Sequence, residues 1–241
     1  MRGPRTLLGI PVFNEAASVD AVLTEVLGYT SEVLVIDDGS TDATPRLLAS
    51  HPVEVIRHAN NRGYGRSMQD MLRWAAVDGY DWLITMDCDR QHEPASIPAF
   101  TRAILDDDAD VISGSRYLAE CADQDAPPPD RREINSELTA LLNERLNLCI
   151  TDAFCGFKAY RVQNCAELRL DVDGYDFPMQ FWAEAYCAGL RIRELPVRLI
   201  YTDQSRSFGG PLDDPVHRRQ VYHATLEKAL QRCQPEAPCC G

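Results

Sequence analysis

Two aspartates one residue apart, Asp87 and Asp89, follow an apolar run that begins at Trp82. Carboxylates are costly to bury unless a positive group binds them. A carboxylate pair at the end of a buried strand, followed by the amide of Gln91, supplies the oxygen ligands that Mg²⁺ or Mn²⁺ prefers. A metal held in this way commonly binds the phosphates of a nucleotide. Because Asp-x-Asp also occurs in turns and at helix caps, the rest of the sequence must decide whether these aspartates bind a metal.

The chain is acidic and has the composition of a globular protein. Its 241 residues carry a formal net charge of −13, and 45% of them are hydrophobic. This length is sufficient for one large α/β domain with a buried core. Nucleic-acid binding requires clustered Lys and Arg, so we expect no nucleic-acid partner. An acidic protein also holds an anionic nucleotide poorly without a cation, which favours the metal interpretation.

Neither the apolar runs nor the cysteines indicate a membrane-spanning or secreted protein. No run reaches the roughly 20 apolar residues of a membrane helix, and the N-terminal residues do not resemble a signal peptide. The nine cysteines include no Cys-x-x-Cys pair. We therefore expect mostly reduced, buried thiols in a cytoplasmic protein, with no zinc site or disulfide framework. We predict a single domain over residues 1–233 and a flexible tail over 234–241, which includes Cys239 and Cys240.

Apolar strands and amphipathic helices alternate along the first half of the chain. The predicted strands cover residues 5–13, 32–36, 53–57 and 82–87, and the helices between them cover 14–27, 45–50 and 68–75. This alternation predicts an α/β protein with a mainly parallel sheet and helices on both faces. In the less regular second half we predict helices over 94–105, 135–148 and 216–233, strands over 110–113 and 190–201, and loops over 119–133 and 203–215.

Polar side chains stand where the predicted strands end. They are found at residues 11–15, at Asp37 and Asp38, at Asn61 and at Asp87. Ligands of parallel α/β sheets bind outside the carboxyl ends of the strands. These residues, although far apart in the chain, are therefore expected to converge in one crevice.

Six motifs, in this order, resemble glycosyltransferase family 2. They are PVFNE (11–15), VIDDGSTD (35–42), NRGYG (61–65), DCDRQHEP (87–94), GSRY (114–117) and TDAFCGFK (151–158). Their order most resembles the branch that transfers sugars to polyprenyl phosphates, which includes dolichol-phosphate mannosyltransferases. The resemblance implies a GT-A, Rossmann-like fold, a nucleotide-sugar donor, a divalent metal and inversion at the anomeric carbon.

The resemblance also implies roles for individual residues. The nucleotide-sugar site would comprise Pro11, Phe13, Glu15, Asp38, Asn61, Gly63, Asp87 and Lys158. The metal, Mg²⁺ or Mn²⁺, would be bound by Asp87, Asp89 and Gln91. Among the catalytic candidates besides Asp89, Arg116 would clamp a phosphate, and Asp152 would act as a general base or organise the acceptor pocket. Simpler interpretations remain open: core packing for Phe13, a tight turn at Gly63, a surface salt bridge for Arg116 and a cap for Asp152.

These observations predict an inverting, metal-dependent glycosyltransferase. It would move a hexose from a donor of the GDP-mannose or UDP-glucose type to an acceptor, polyprenyl phosphate in the first interpretation. It would be cytoplasmic, or peripheral at the inner face of the membrane. The alternatives are a soluble or protein-linked hydroxyl acceptor, or a catalytically silent nucleotide-sugar-binding protein.

One departure from the family concerns the acceptor. Gln180 stands where many relatives have an acidic residue after Gly-x-x-Phe. Because an amide cannot act as a base at neutral pH, acceptor activation stays open. Further cations that could contact a phosphate are Arg131, Arg132, Arg161 and Arg206.

Overall fold

The computed structural model describes residues 3–89, 93–118, 129–198, 200 and 210–233. The strands in these ranges form one seven-stranded sheet. The strands are β1 (Thr6–Val12), β2 (Val33–Asp37), β3 (Glu54–Arg57), β4 (Trp82–Thr85), β5 (Val111–Ser115), β6 (Lys158–Arg161) and β7 (Ile192–Pro196). Their order across the sheet is β3-β2-β1-β4-β6-β5-β7. The described helices are α1 (Val19–Val26), α2 (Thr44–Leu48), α3 (Tyr64–Val77), α4 (Ile97–Leu105), α5 (Pro129–Leu146), α6 (Val162–Cys165), α7 (Phe177–Cys187) and α8 (Pro215–Cys233), with short 3₁₀ turns at Pro94–Ser96 and Gly210–Asp213.

The strand pairing confirms the predicted mainly parallel sheet, with one exception. Parallel pairs join β1 to β2 and β4, β2 to β3, and β5 to β7. Strand β6 runs antiparallel to both β4 and β5. It was not predicted, because Lys158–Arg161 is short and has charged residues at both ends. An antiparallel strand begins at the edge where its parallel neighbours end, so Lys158 lies opposite Thr85.

Successive strand residues point to opposite faces of the sheet and enter two separate cores. Leu7 and Leu83 belong to the core that is covered by α3, α5, α7 and α8. Leu8 and Ile84 belong to the core that is covered by α1, α2 and α4. The predicted helices on both faces are therefore confirmed.

The first helix begins five residues later than predicted, at Val19. Asn14 has a left-handed backbone with a φ of 56°, a conformation that asparagine adopts more readily than most residues. Its N–H donates to the Ser40 hydroxyl (2.9 Å), and its Oδ1 accepts from the N–H of Thr41 (2.8 Å). These hydrogen bonds hold residues 13–15 against the loop after β2, where they form part of the edge of the crevice.

Other boundaries differ in ways that affect the site. Helix α5 begins at Pro129, so residues 129–133, predicted as loop, are helical; proline suits a first helical turn because its missing N–H has no partner there. Strand β4 ends at Thr85, which leaves Asp87 and Asp89 in the following loop. Helix α7 was not predicted, because most of its residues are buried and its sequence lacks a polar face. The predictions for 119–128, 203–209 and 234–241 lie outside the described residues.

The cysteines differ in part from the expected reduced state. A disulfide joins Cys187, at the end of α7, to Cys233, at the end of α8, with their Cα atoms 5.7 Å apart. The pairing spans 46 residues, and only the packing of α7 against α8 brings the two side chains together. Of the other described cysteines, Cys88, Cys155 and Cys165 are buried, and Cys149 is exposed.

Alkylation is expected to distinguish the exposed Cys149 from the buried Cys155 and Cys165. Iodoacetamide should modify Cys149 first, because burial raises the pKa of Cys155 to about 11 and that of Cys165 to about 12. Two pKa units mean about 100-fold less thiolate, the reactive form. Timed labelling and peptide mass mapping would measure the rates, with urea-unfolded protein as the control. Equal labelling of Cys149 and Cys155 in the folded protein would contradict the buried position of Cys155.

Within the part of the chain that the structure describes, no helix has the length and apolar character needed to cross a membrane.

Candidate active site

A cavity of about 520 Å³ opens at the edge of the sheet where the parallel strands end. Its lining includes these predicted site residues: Pro11, Phe13, Glu15, Asp38, Asn61, Gly63, Asp87, Asp89, Arg116 and Lys158. The predicted convergence is therefore confirmed for these residues, although Asn14 and Asp37 do not line the cavity, and the roles of the residues stay predictions. Asp152 is the partner of Arg116 just outside this lining, and Gln91 lies outside the described residues.

The order of the strands determines where the charged residues of this lining lie. Along β2, β1, β4, β6 and β5, the residues at the cavity edge are Asp38, Phe13, Asp87, Lys158 and Arg116. The carboxylate pair is thus central, with an aromatic and loop-lined part on one side and two cations on the other. A metal bound by the carboxylates, together with the two cations beside them, would attract anionic groups.

Asp38 holds the loop that follows β3. Its side chain is nearly buried, and its two oxygens accept hydrogen bonds from the backbone N–H groups of Arg62 and Gly63, both at 2.8 Å. Gly63 has a φ of 104°, and a Cβ there would overlap the carbonyl of Asp173. This close approach of two backbones requires glycine whether or not a ligand is bound.

His58, which was not predicted as a site residue, holds the side chain of Asp38 in position. Its Nδ1 lies 2.6 Å from Asp38 Oδ1 and its Nε2 lies 3.1 Å from Asp70 Oδ2. The imidazole is buried between the two carboxylates. The sequence did not indicate that His58 lies between two carboxylates, because one of them, Asp70, belongs to a different element, helix α3.

The aromatic part of the cavity has exposed ring surface. Phe13 is 43% exposed, so core packing does not explain it. Tyr64 and Tyr175 stack with their ring centroids 5.9 Å apart and also line the cavity. Exposed aromatic faces at a cavity wall suit a nucleobase or a sugar ring. Glu15, beside Phe13, accepts a hydrogen bond from the Ser18 hydroxyl at 2.7 Å.

The fit of a metal can be judged from the surroundings of Asp87 and Asp89. Both are half-buried, and a Cβ built on Gly156 would overlap the Asp87 carboxylate. The glycine therefore leaves space for that carboxylate. Among the described residues, no group of three or more His, Cys, Asp and Glu could enclose a metal. The pair suits a cation that takes its other ligands from a nucleotide, as Mg²⁺ commonly does.

Asp152 and Arg116 form a buried ion pair, which excludes the surface salt bridge. Arg116 donates from Nε (2.6 Å) and from the Nη2 group (2.9 Å) to the two carboxylate oxygens, and Asn135 donates at 2.9 Å. Burial alone would raise the pKa of Asp152, but the charge and hydrogen bonds of Arg116 hold it well below its usual value. A carboxylate so satisfied is a weak proton acceptor.

Lys158 brings a second buried cation to the same side. Its residue is 5% exposed, its ammonium donates to the Cys155 carbonyl, and its Nζ lies 5.5 Å from the centre of the Trp182 ring. Burial lowers the pKa of Lys158, an effect that the charge of Asp152 opposes. Because the carboxylate of Asp152 offsets the charge of Arg116, Lys158 supplies the net positive charge among these three residues.

The comparison with known sequences agrees with the arrangement of carboxylates and cations in the cavity. Residues 8–169, about two thirds of the chain, match the profile of glycosyl transferase family 2. The chain belongs to this family. It is a glycosyltransferase, and its α/β sheet is the GT-A fold that the motifs implied.

Two curated relatives extend the match over most of the transferase. Undecaprenyl-phosphate mannosyltransferase of Micrococcus luteus is 29% identical over 224 residues, which cover 88% of this chain and 91% of the relative. Polyprenol monophosphomannose synthase of Mycolicibacterium smegmatis is 31% identical over 206 residues, covering 80% and 76%. Each of these names refers to a sugar carried on a polyprenyl phosphate.

Among solved structures, the transferase resembles glucosyl-3-phosphoglycerate synthase of Mycobacterium tuberculosis. The complex of that protein with Mn²⁺, UDP and glucosyl-3-phosphoglycerate superimposes with a TM-score of 0.72 and 19% identity. The match covers 98% of this chain and 82% of the other. At this identity the likeness shows the shared fold.

Gln180 of the transferase lies outside the cavity lining and holds a loop. Its Oε1 accepts from the N–H groups of Asp171 (3.0 Å) and Val172 (2.9 Å). Its Nε2 donates to the Arg169 carbonyl (3.2 Å) and to the Asp171 carboxylate (2.7 Å). All four bonds of the amide are therefore used to fix residues 169–172, and a carboxylate would not replace them.

We expect Gln180→Glu to destabilise the transferase without adding a catalytic base. A carboxylate cannot donate to the Arg169 carbonyl, and it would repel Asp171, so the free energy of unfolding should fall by about 1–3 kcal/mol. Urea unfolding measures this loss, with Gln163→Glu at an exposed site as the matched control. A Gln180→Glu variant as stable as the wild type would remove the structural role.

The wall opposite the strand ends was not foreseen from the sequence. It comes from α5, α7, α8 and the segment before β6, through Ile134, Asn135, Phe154, Phe177, Phe181, Trp182, Arg218 and Tyr222. Phe154 and Tyr222 stack with their centroids 5.4 Å apart. The spacing of Phe177 and Phe181, four residues apart, was the one local signal of a helix face here.

Proposed function

We propose that this transferase moves a hexose from a nucleoside-diphosphate sugar to a polyprenyl phosphate. The observation that carries the proposal is one cavity in which Asp87 and Asp89 lie beside a buried cationic side formed by Lys158 and Arg116. The first pair suits the donor and its metal, and the second suits an anionic acceptor. The names of the two curated relatives support this choice of acceptor.

The donor side would work through Asp87 and Asp89, with Gln91 as a third ligand in the proposal. These oxygens fit Mg²⁺ or Mn²⁺, which when bound offsets the negative charge that develops on the departing diphosphate. Phe13 and Tyr64 offer ring surface to the nucleoside. The donor would be of the GDP-mannose or UDP-glucose type. A protein of the same fold has been crystallised with Mn²⁺ and UDP, which guides the choice of test compounds.

The acceptor side favours a phosphate over a hydroxyl. A hydroxyl acceptor needs a general base, and Asp152 is committed to Arg116 and Asn135 with a lowered pKa. A phosphate monoester is already ionised near pH 7. Its oxygen would attack the anomeric carbon while the bond from that carbon to the diphosphate breaks. One such displacement inverts the configuration, and the nucleoside diphosphate leaves with the bonding electrons.

A lipid acceptor would place the transferase at a membrane surface. The wall formed by Ile134, Phe154 and Tyr222 offers apolar area beside the cations. Prenyl units would pack there while the phosphate faces Lys158 and Arg116. In this proposal the protein is peripheral at the inner face of the membrane.

A panel of nucleotide sugars tests the proposal directly. GDP-mannose, UDP-glucose and UDP-N-acetylglucosamine would be incubated with Mg²⁺ or Mn²⁺ and with farnesyl phosphate, farnesol or no acceptor. We expect metal-dependent transfer to farnesyl phosphate and none to farnesol. Metal-dependent hydrolysis without transfer to the phosphate would favour a different acceptor. Nucleotide binding with neither transfer nor hydrolysis would favour the catalytically silent protein, and no metal-dependent nucleotide binding at all would exclude the donor site. Either result would overturn the proposal.

A further inference from the structure

Helix α8 turns one stripe of residues inward, and the stripe begins with an arginine. Its buried members are Arg218, Tyr222, Leu226 and Ala229. This spacing of four, four and three residues is that of one helix face. Tyr222, Leu226 and Ala229 are in the core, and Arg218 and Tyr222 line the active-site cavity. The position of Arg218 on the inward face thus follows from the helix itself, and only 3% of the residue is exposed.

Two contacts fix the rotation of α8 at this end. Asp214 accepts hydrogen bonds from the N–H groups of Val216 (2.7 Å) and His217 (2.9 Å), which caps the first turn. On the outward face, Arg219 forms ion pairs with Glu137 (2.7 Å) and Glu133 (3.1 Å) of α5. The neighbouring arginines therefore have opposite orientations, one toward α5 on the outside and one toward the cavity.

The surroundings of Arg218 place it at the cationic side of the cavity. Helix α8 packs on α7 and α5. Tyr222, one turn after Arg218, stacks on Phe154, which comes from the segment before β6. Strands β6 and β5 carry Lys158 and lead to Arg116 at the same edge of the sheet. Arg218 thus adds a guanidinium from outside residues 8–169, the part of the chain that the family profile covers.

We infer that Arg218 binds the phosphate of the acceptor and that Tyr222 packs against the first apolar units of its chain. The inference rests on the proposed function, because it assigns the acceptor side of that same cavity. A guanidinium recognises a phosphate through two parallel hydrogen bonds, which an ammonium cannot reproduce. The stacked rings of Tyr222 and Phe154 provide apolar surface one helical turn away. The ligand is thus a phosphate monoester attached to an apolar group.

Direct binding separates this inference from turnover. Isothermal titration would measure the affinity of farnesyl phosphate and of glycerol 3-phosphate for the whole chain, without sugar donor. We expect Arg218→Gln to weaken both ligands by about 10- to 100-fold, and Arg218→Lys to weaken them by less. Tyr222→Ala should weaken farnesyl phosphate more than glycerol 3-phosphate, because only the former has an apolar chain. Lys228→Gln, at an exposed position of the same helix, is the matched control and should bind both ligands like the wild type.

Three results would overturn the inference. One is equal affinity of Arg218→Gln and wild type, in variants shown by circular dichroism to be folded; Arg218→Lys provides the second folded variant. Another is a fall in affinity for nucleoside diphosphate as large as that for farnesyl phosphate, which would assign Arg218 to the donor. The third is a wild type that binds neither phosphate monoester.

Failure of the proposed function would look different. Farnesyl phosphate binding that depends on Arg218, together with no sugar transfer from any nucleotide sugar, would contradict the proposed reaction while supporting the binding site. Sugar transfer with an unchanged KM for farnesyl phosphate in Arg218→Gln would contradict the inference while supporting the reaction.

Discussion

Asp89→Asn is expected to reduce sugar transfer by about 10³-fold, or about 4 kcal/mol of transition-state stabilisation. The substitution keeps the size of the side chain and removes its charge. Asp89 follows β4 and lines the cavity next to Asp87, at the centre of the strand order. A neutral amide binds Mg²⁺ or Mn²⁺ more weakly than a carboxylate, so the diphosphate would leave with less of its charge offset.

The measurement needs both kinetics and metal binding. The rate of transfer would be followed at saturating metal, and the affinity for Mn²⁺ would be titrated in the presence of nucleoside diphosphate. Asp20→Asn, at an exposed site on α1, is the matched control and should leave both values unchanged. Thermal unfolding would show whether Asp89→Asn is folded. Full transfer activity in a folded Asp89→Asn protein would remove Asp89 from the metal site.

The second large effect is on stability, and it concerns the Arg116–Asp152 pair. Arg116→Met is expected to lower the free energy of unfolding by about 3–5 kcal/mol near neutral pH, because it leaves a buried carboxylate without its cation. Asp152 has no exposed side-chain surface, and the side chain of Arg116 supplies two of its hydrogen bonds. Asn135 is a neutral donor, so in the variant the nearby charge of Lys158 would be left to offset that of Asp152.

The loss should depend on pH with a definite sign. In the wild type the pKa of Asp152 lies below its unfolded value of about 3.9, so the pair stabilises the fold above that pH and loses this effect as the pH falls toward the folded pKa. In Arg116→Met, burial without the guanidinium raises the pKa of Asp152. Protonation then relieves the buried charge, so the deficit relative to wild type should shrink as the pH falls through this raised pKa toward the unfolded value of about 3.9.

Urea unfolding across this pH range measures the deficit. Arg145→Met removes the guanidinium of an exposed ion pair with Glu227 and is the matched control. We expect it to leave the unfolding free energy nearly unchanged at every pH, since solvent screens such pairs. A deficit for Arg116→Met that is small, or that does not vary with pH, would contradict the buried pair as described.

The sequence predicted best where local pattern and sheet geometry act together. Strands β1, β2 and β4 are apolar runs that end in polar residues, and parallel strands place those ends at one edge. Phe13, Asp38 and Asp87 could therefore be assigned to one crevice from the sequence alone. The ends of helices and strands were predicted less well, because individual hydrogen bonds decide them. Helix α1 starts late, after Asn14 has formed its hydrogen bonds with Ser40 and Thr41.

Prediction was poorer where a residue's environment comes from distant parts of the chain. The residues that pair with strand β6 lie 45 to 79 positions earlier in the sequence (Ser113 with Lys158, Trp82 with Arg161), and its own four residues carry little pattern. The Gln180 position suggested an acceptor residue, whereas its amide is used by the backbone of residues 169–172. Its function as a loop anchor depends on the path of that loop, which periodicity does not encode.

By itself, the sequence determined the α/β class, the central carboxylate pair and the family, because these depend on local hydrophobic period and on ordered motifs. Only the tertiary structure decided the other half of the cavity. It turned α8 so that Arg218 faces inward, buried Asp152 against Arg116, and brought Cys187 to Cys233. Each of these depends on the packing of helices far apart in the chain, and burial and charge pairing arise only when that packing excludes water.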